Sequence, residues 1–141
     1  MARTSIELHA SQADAWTALQ LLTTWEGVAG IEDLRDPQHD AAGNLTGFHF
    51  AMDTGVGRVN GRARVEPRRP GMTIRAEQKG LELAIQIVVT ESGPASSTAI
   101  VDARSRSTSF LSKPLSMTLN ALLDNAIADE AAKIAGRIGG A

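Results

Sequence analysis

The chain has 141 residues, 43% of them hydrophobic and 21% charged, which suits one domain (1–141) with its own core and excludes a disordered chain. A net charge of −2 argues against a dedicated nucleic-acid binder, and the absence of cysteine excludes disulfides, thiolate metal sites and cysteine nucleophiles. No apolar run approaches the roughly 18 residues of a membrane span, and the first residues hold no signal-type apolar block, so a cytoplasmic protein is expected.

Thr4 to His9 alternates Ile6 and Leu8 with Glu7 and His9, which predicts a short strand. Ser11-Gln12-Ala13-Asp14 has the spacing of a capping box, and Trp16, Leu19 and Leu22 then share one helical face. Gly27 and Gly30 break that pattern beside Trp25. Ile31 to Asp36 fits either a helical turn or a strand, with Pro37 expected to end it.

From Asn44 to Ser107 the period is two. Phe48, Phe50 and Met52 alternate with His49 and Ala51; Val59, Gly61, Ala63 and Val65 alternate with Arg58, Asn60, Arg62 and Arg64. Met72, Ile74 and Ala76, and then Leu81, Leu83, Ile85, Ile87 and Val89, continue the pattern. Antiparallel strands with one dry and one wet face alternate in this way. Turn residues separate them at Asp53-Thr54-Gly55, Arg69-Pro70-Gly71, Lys79-Gly80 and Ser92-Gly93-Pro94. A last strand is expected over 97–107. A single long helix follows, from Lys113 to about Ile138, capped by Ser112 and striped by Leu115, Leu119, Leu122, Leu123, Ala126, Ile127, Ile134 and Ile138. The expected fold class is α+β: a curved meander with one apolar face wrapped around one long helix.

This order, with Ser11-Gln12-Ala13-Asp14-Ala15-Trp16 and Trp25-Glu26-Gly27-Val28 near the start, resembles the START-like or SRPBCC superfamily. Gly57-Arg58-Val59-Asn60-Gly61-Arg62-Ala63-Arg64-Val65, with Pro67 and Pro70, is similar to the superfamily branch named for the G component of carbon monoxide dehydrogenase. Ser97-Thr98-Ala99-Ile100 sits where the family begins its last strand. The resemblance implies the helix-grip fold: a sheet of about seven strands gripping the last helix, two short helices after the first strand, and an apolar cavity between sheet and helix. Its members include lipid carriers, polyketide cyclases or dehydratases, and partner-binding modules.

The candidate chemistry is sparse. Gly55-Val56-Gly57 precedes a strand where a dinucleotide fingerprint requires a helix. His9, His39 and His49 have no zinc-ligand spacing, and no nucleophile elbow is present. Arg58, Arg62 and Arg64 share one strand face, read either as a solvated outer surface or as a site for an anionic partner. On strand 97–107 the odd positions, Ala99, Val101, Ala103 and Ser105, are small and uncharged. The even positions carry Asp102 and Arg104, which either face water or pair inside a cavity as its polar groups.

The leading expectation is a protein that binds a hydrophobic small molecule in the cavity. Its lining would be Phe48, Phe50, Met52, Ile74, Leu83, Ile85, Leu115, Leu119 and Leu122, with Trp25 near the mouth. No catalytic residue, metal or cofactor is assigned. A cyclase or dehydratase using the same cavity, with Asp102 or Arg104 as its polar group, is one alternative. A module for a protein partner in redox-enzyme maturation is the other.

Overall fold

Seven stretches of extended chain pair into one sheet. The computed structural model describes residues 2–53, 57–78, 80–107 and 113–138. In chain order the elements are β1 (Ala2–Leu8), α1 (Gln12–Leu19), α2 (Leu22–Trp25), a single 3₁₀ turn (Val28–Gly30), β2 (Ile31–His39), β3 (Leu45–Asp53), β4 (Arg58–Arg68), β5 (Gly71–Gln78), β6 (Leu81–Gly93), β7 (Ser96–Ser107) and α3 (Lys113–Ile138). The sheet order is β1-β7-β6-β5-β4-β3-β2, with every neighbouring pair antiparallel. This is the expected α+β helix-grip arrangement, with two short helices after the first strand.

Register follows the alternation. Val65 lies opposite Ile74, Ile74 opposite Ile85, and Ile85 opposite Ala103, so one row of apolar side chains crosses four strands on the inner face. Phe50 faces Gly61 across the β3–β4 ladder. A methyl group on Gly61 would collide with the Phe50 ring, so the glycine makes room for the ring.

The ambiguous stretch 31–36 is a strand, and it continues past Pro37 to His39. β2 is a sheet edge, so the missing proline N–H can fall on the unpaired side. Its pairing with β3 slips three times between Glu32 and His39, and Asp33 and Asp36 take positive φ angles of 54° and 55°. The Glu26 carboxylate accepts from the amides of Asp33 (2.9 Å) and Leu34 (3.3 Å). Local alternation did not foretell a strand here because these irregularities destroy the period of two.

Ser11 caps α1 as its spacing predicts: its hydroxyl oxygen accepts from the Asp14 amide at 3.1 Å. The far end of α1 is closed by side chains of the next helix. Thr24 Oγ1 donates to the Ala18 carbonyl (2.6 Å), which also accepts from the Leu21 amide (3.1 Å), and Trp25 Nε1 donates to the Leu19 carbonyl (2.9 Å) at the helix C-terminus. Gln20 then ties α1 to the sheet, donating to the Trp16 carbonyl (2.9 Å) and accepting from the Leu45 amide (2.8 Å). Asp40 shapes the β2–β3 turn. Its carboxylate accepts from the amides of Ala42 and Asn44, both at 2.9 Å. Those bonds, the one to Asn44 foremost, hold its pKa below the ordinary 3.8.

α3 packs on β1 and β7 and, near its end, on α1, α2 and the 3₁₀ turn. Ile127, Ala131 and Ile134 are buried there. Lys133 Nζ donates to the Gly27 carbonyl at 3.3 Å, and Arg137 Nη1 donates to the carbonyls of Thr24 and Glu26. One bond was invisible to pattern reading. The Asn120 side chain accepts from the Ser105 amide (2.7 Å) and donates to the Ser105 carbonyl (3.1 Å). Among the described residues β1 pairs with β7 as far as Ala2 opposite Ala103, and two residues further along β7 the Ser105 backbone meets this carboxamide. Asn120 stands in for a strand.

Two tests follow from these bonds. Asn120→Ala removes two hydrogen bonds from the partly buried Ser105 backbone, and chemical denaturation should show a loss of roughly 1–3 kcal/mol. An unchanged midpoint would show that water replaces the carboxamide. For Asp40, a folded-state pKa below the unfolded one means stability present above about pH 3.8 and lost as pH falls through the folded value. Melting temperatures of the parent and Asp40→Ala should therefore differ at pH 7 and converge toward pH 3, whereas a gap independent of pH would assign the effect to shape alone.

Candidate functional site

The inner face of the sheet is dry. Phe48, Phe50, Met52, Ile74, Leu83 and Ile85 lie on β3, β5 and β6 and converge on one buried cluster with Ala63, Ala76, Ala99 and Ala103. They are between 1% and 8% exposed. They therefore form a continuous apolar wall on the concave side of the sheet. Leu115, Leu119 and Leu122 of α3 lie outside the residues whose side chains are described. Trp25 is 2% exposed and its Nε1 donates to the Leu19 carbonyl, which fixes it at the α1–α2 junction.

Asp102 and Arg104 are on the other side of the sheet. The odd positions of β7, Ala99, Val101, Ala103 and Ser105, are the buried ones. Asp102 faces outward, with Arg3 Nε 3.6 Å from its Oδ1. With Arg75, Gln86 and Arg104 it borders a shallow outer groove of about 310 Å³ over Ala84. The sheet separates that groove from the core, so neither residue can act as a polar cavity group in this arrangement. Burying an unmatched charged row would cost far more than the small residues of the odd positions.

The arginine row is likewise on the wet face, where acids on neighbouring strands meet it. Arg58 pairs with Glu32 (3.3 Å), Arg64 with Glu77 (3.5 Å), and Arg75 with both Glu66 (3.3 Å) and Glu82 (3.6 Å). His49 Nδ1 is 3.0 Å from Asp36 Oδ2, also on the outside. Among the described residues no three His, Asp or Glu side chains gather as a metal ligand set, and no helix is long and apolar enough to cross a membrane.

No protein-family model matches the sequence, and no curated protein matches it. Solved structures do match. A START superfamily protein from Mycobacterium smegmatis superposes with a TM-score of 0.69 over 97% of each chain, at 12% identity. The Zhui aromatase/cyclase from Streptomyces sp. R1128 gives 0.63 over 99% of this chain and 90% of that one, at 9% identity. The di-domain aromatase/cyclase BexL gives 0.67 at 12% identity, covering 97% of this chain and 45% of that one. The chain has the START-like, or SRPBCC, helix-grip fold. At these identities the likeness carries the fold alone, and the chemistry of a helix-grip protein rests on the residues it places inside.

Exposed ion pairs contribute little, so Arg62→Gln and Arg64→Gln should each change stability by no more than about 0.5 kcal/mol in denaturant titrations. A loss of several kcal/mol at either site would show a buried, matched guanidinium.

Proposed function

We propose that this helix-grip protein binds a hydrophobic small molecule, lipid- or polyketide-like, between the concave sheet and α3. The observation that supports this reading is the inner face itself. Six large apolar residues from three strands meet four alanines there, and the described inward polar groups on β7, Ser97 and Ser105, are uncharged. Such a face offers binding by apolar area removed from water, about 25 cal/mol per Å² before the costs of association. START-superfamily and aromatase/cyclase proteins share the architecture, which supports a ligand between sheet and helix as the use of this face.

The cyclase alternative loses its named groups with Asp102 and Arg104 outside. The partner-module alternative calls for several hundred Å² of contiguous exposed apolar surface. The large apolar residues exposed among those described are Leu21 and Met117, on different elements.

The test uses an uncharged fluorophore, N-phenyl-1-naphthylamine, with the parent protein and Ile85→Trp. The parent should take up about one probe per chain, saturably. The variant, whose indole takes the place of the ligand, should bind at least about ten-fold more weakly. Absence of saturable uptake by the parent would overturn the reading.

A further inference from the structure

At the end of the sheet where β2 meets β3 and β4 meets β5, the C-terminal half of α1 leans over two turns and leaves a pocket of about 550 Å³. Its walls are Trp16 and Leu21 from the helical side, His39 and Asn44 from the β2–β3 hairpin, and Pro67 and Arg69 from the end of β4. Of its lining residues Trp16 alone belongs to the buried cluster of the inner face, so the pocket is a separate space whose use is independent of the function proposed above.

Three features give the pocket a chemistry. First, no aspartate or glutamate is among its lining residues. Asp40, the nearest acid along the hairpin, turns its carboxylate onto the amides of Ala42 and Asn44 and is occupied there. Second, the guanidinium carbon of Arg69 sits 5.8 Å from the centre of the Trp16 ring, within cation–π range. The Trp16 indole is itself held, its Nε1 donating to Asn44 Oδ1 at 3.2 Å. The arginine is thus oriented by an aromatic that is fixed to the hairpin. Among the described residues no carboxylate pairs with Arg69, in contrast to Arg58, Arg64 and Arg75 on the sheet. Guanidinium donors lie in the plane of the group and match a carboxylate two at a time, so contact with a ring face leaves that edge available. Third, Leu21 is 53% exposed and borders the same space, with Pro67 opposite as a second apolar surface.

An oriented cation without a carboxylate, next to exposed apolar surface in a pocket large enough for a small ligand, calls for a molecule with both characters. We propose that this pocket is a second binding site, for a small organic carboxylate whose charged end pairs with Arg69 and whose apolar body lies against Leu21 and Pro67.

The test is NMR of the ¹⁵N-labelled full chain, which has two indole N–H signals to observe, those of Trp16 and Trp25. Trp16→Phe assigns them. The probe is 4-phenylbutyrate, with 4-phenylbutanol as its uncharged counterpart and inorganic phosphate as a charge without an apolar body. Phenylbutyrate should shift the Trp16 signal saturably and leave Trp25 in place. The alcohol and phosphate should each bind at least about ten-fold more weakly. Arg69→Gln should remove the preference for the acid over the alcohol, and Arg69→Lys should restore part of it, because charge returns without the planar fork. Uptake of N-phenyl-1-naphthylamine by both variants, unchanged from the parent, shows that they are folded and that the inner face is unaffected. If the parent takes up no naphthylamine, circular dichroism gives the folding control, and the inner-face reading fails alone. Four results would overturn the second site: no saturable shift at Trp16, equal binding of acid and alcohol, phosphate binding as tight as phenylbutyrate, or an Arg69→Gln variant that behaves as the parent.

Discussion

A sheet that carries Leu8, Phe48, Phe50, Ile74, Leu83 and Ile85 on one face cannot leave that face in water. Each large side chain contributes about 1.5–3 kcal/mol when covered, so the cover is the constraint on which the remaining structure depends. α3 supplies it, and the short helices hold α3 in place. The lid lies against β1 and β7, on one side of the sheet. Truncating the lid would expose the whole inner face at once, which makes sheet and helix one cooperative unit.

Covering a face with a helix leaves polar groups unmet at every place where regular hydrogen bonding stops, and here side chains meet them. Asn120 completes the ladder of β7 beyond the reach of β1. Thr24 and Trp25 take the last carbonyls of α1, Gln20 takes the first amide of β3, and Arg137 takes carbonyls at the end of α2. These groups bring no reactivity. They fix the angle at which the lid meets the sheet, since each bond has a direction that apolar contact lacks.

Much of this fold is legible in the sequence, for a definite reason. The alternation from Phe48 to Val101 repeats every second residue, and the stripe ending in Ile127, Ile134 and Ile138 follows helical spacing, so both can be read locally. The inward facing of Ala99, Val101 and Ala103 was undecided at Asp102 and Arg104, because small residues fit either a crowded interior or an exposed surface. Cross-strand register decides it, placing Ala103 opposite Ile85 and Val101 opposite Ile87. β2 was illegible because its slips and positive φ angles erase the period. Bonds such as Ser105 to Asn120, or Lys133 to Gly27 across 106 positions, leave no mark on local patterns. The same limit hid the setting of Trp25, expected near a cavity mouth, whose indole N–H closes the end of α1. It also hid the end pocket, where Trp16 and Arg69 meet only through the folding of two distant turns.

The irregularity of β2 has a consequence for how copies of the chain can meet. An open sheet has two borders, and each is a template on which another strand could grow. On the β2 side, three slips of register, a proline and two residues with left-handed backbone angles leave no straight row of donors and acceptors longer than a few residues. A second chain that laid a strand there would find its partners out of step after one or two bonds. The β1 border is different: its pairing with β7 runs unbroken from Ala2 to Leu8, so its free side is a regular ruler. Strand-to-strand polymerisation would need two such rulers per molecule to propagate, and this chain has one. Growth along the sheet direction therefore stops at a pair.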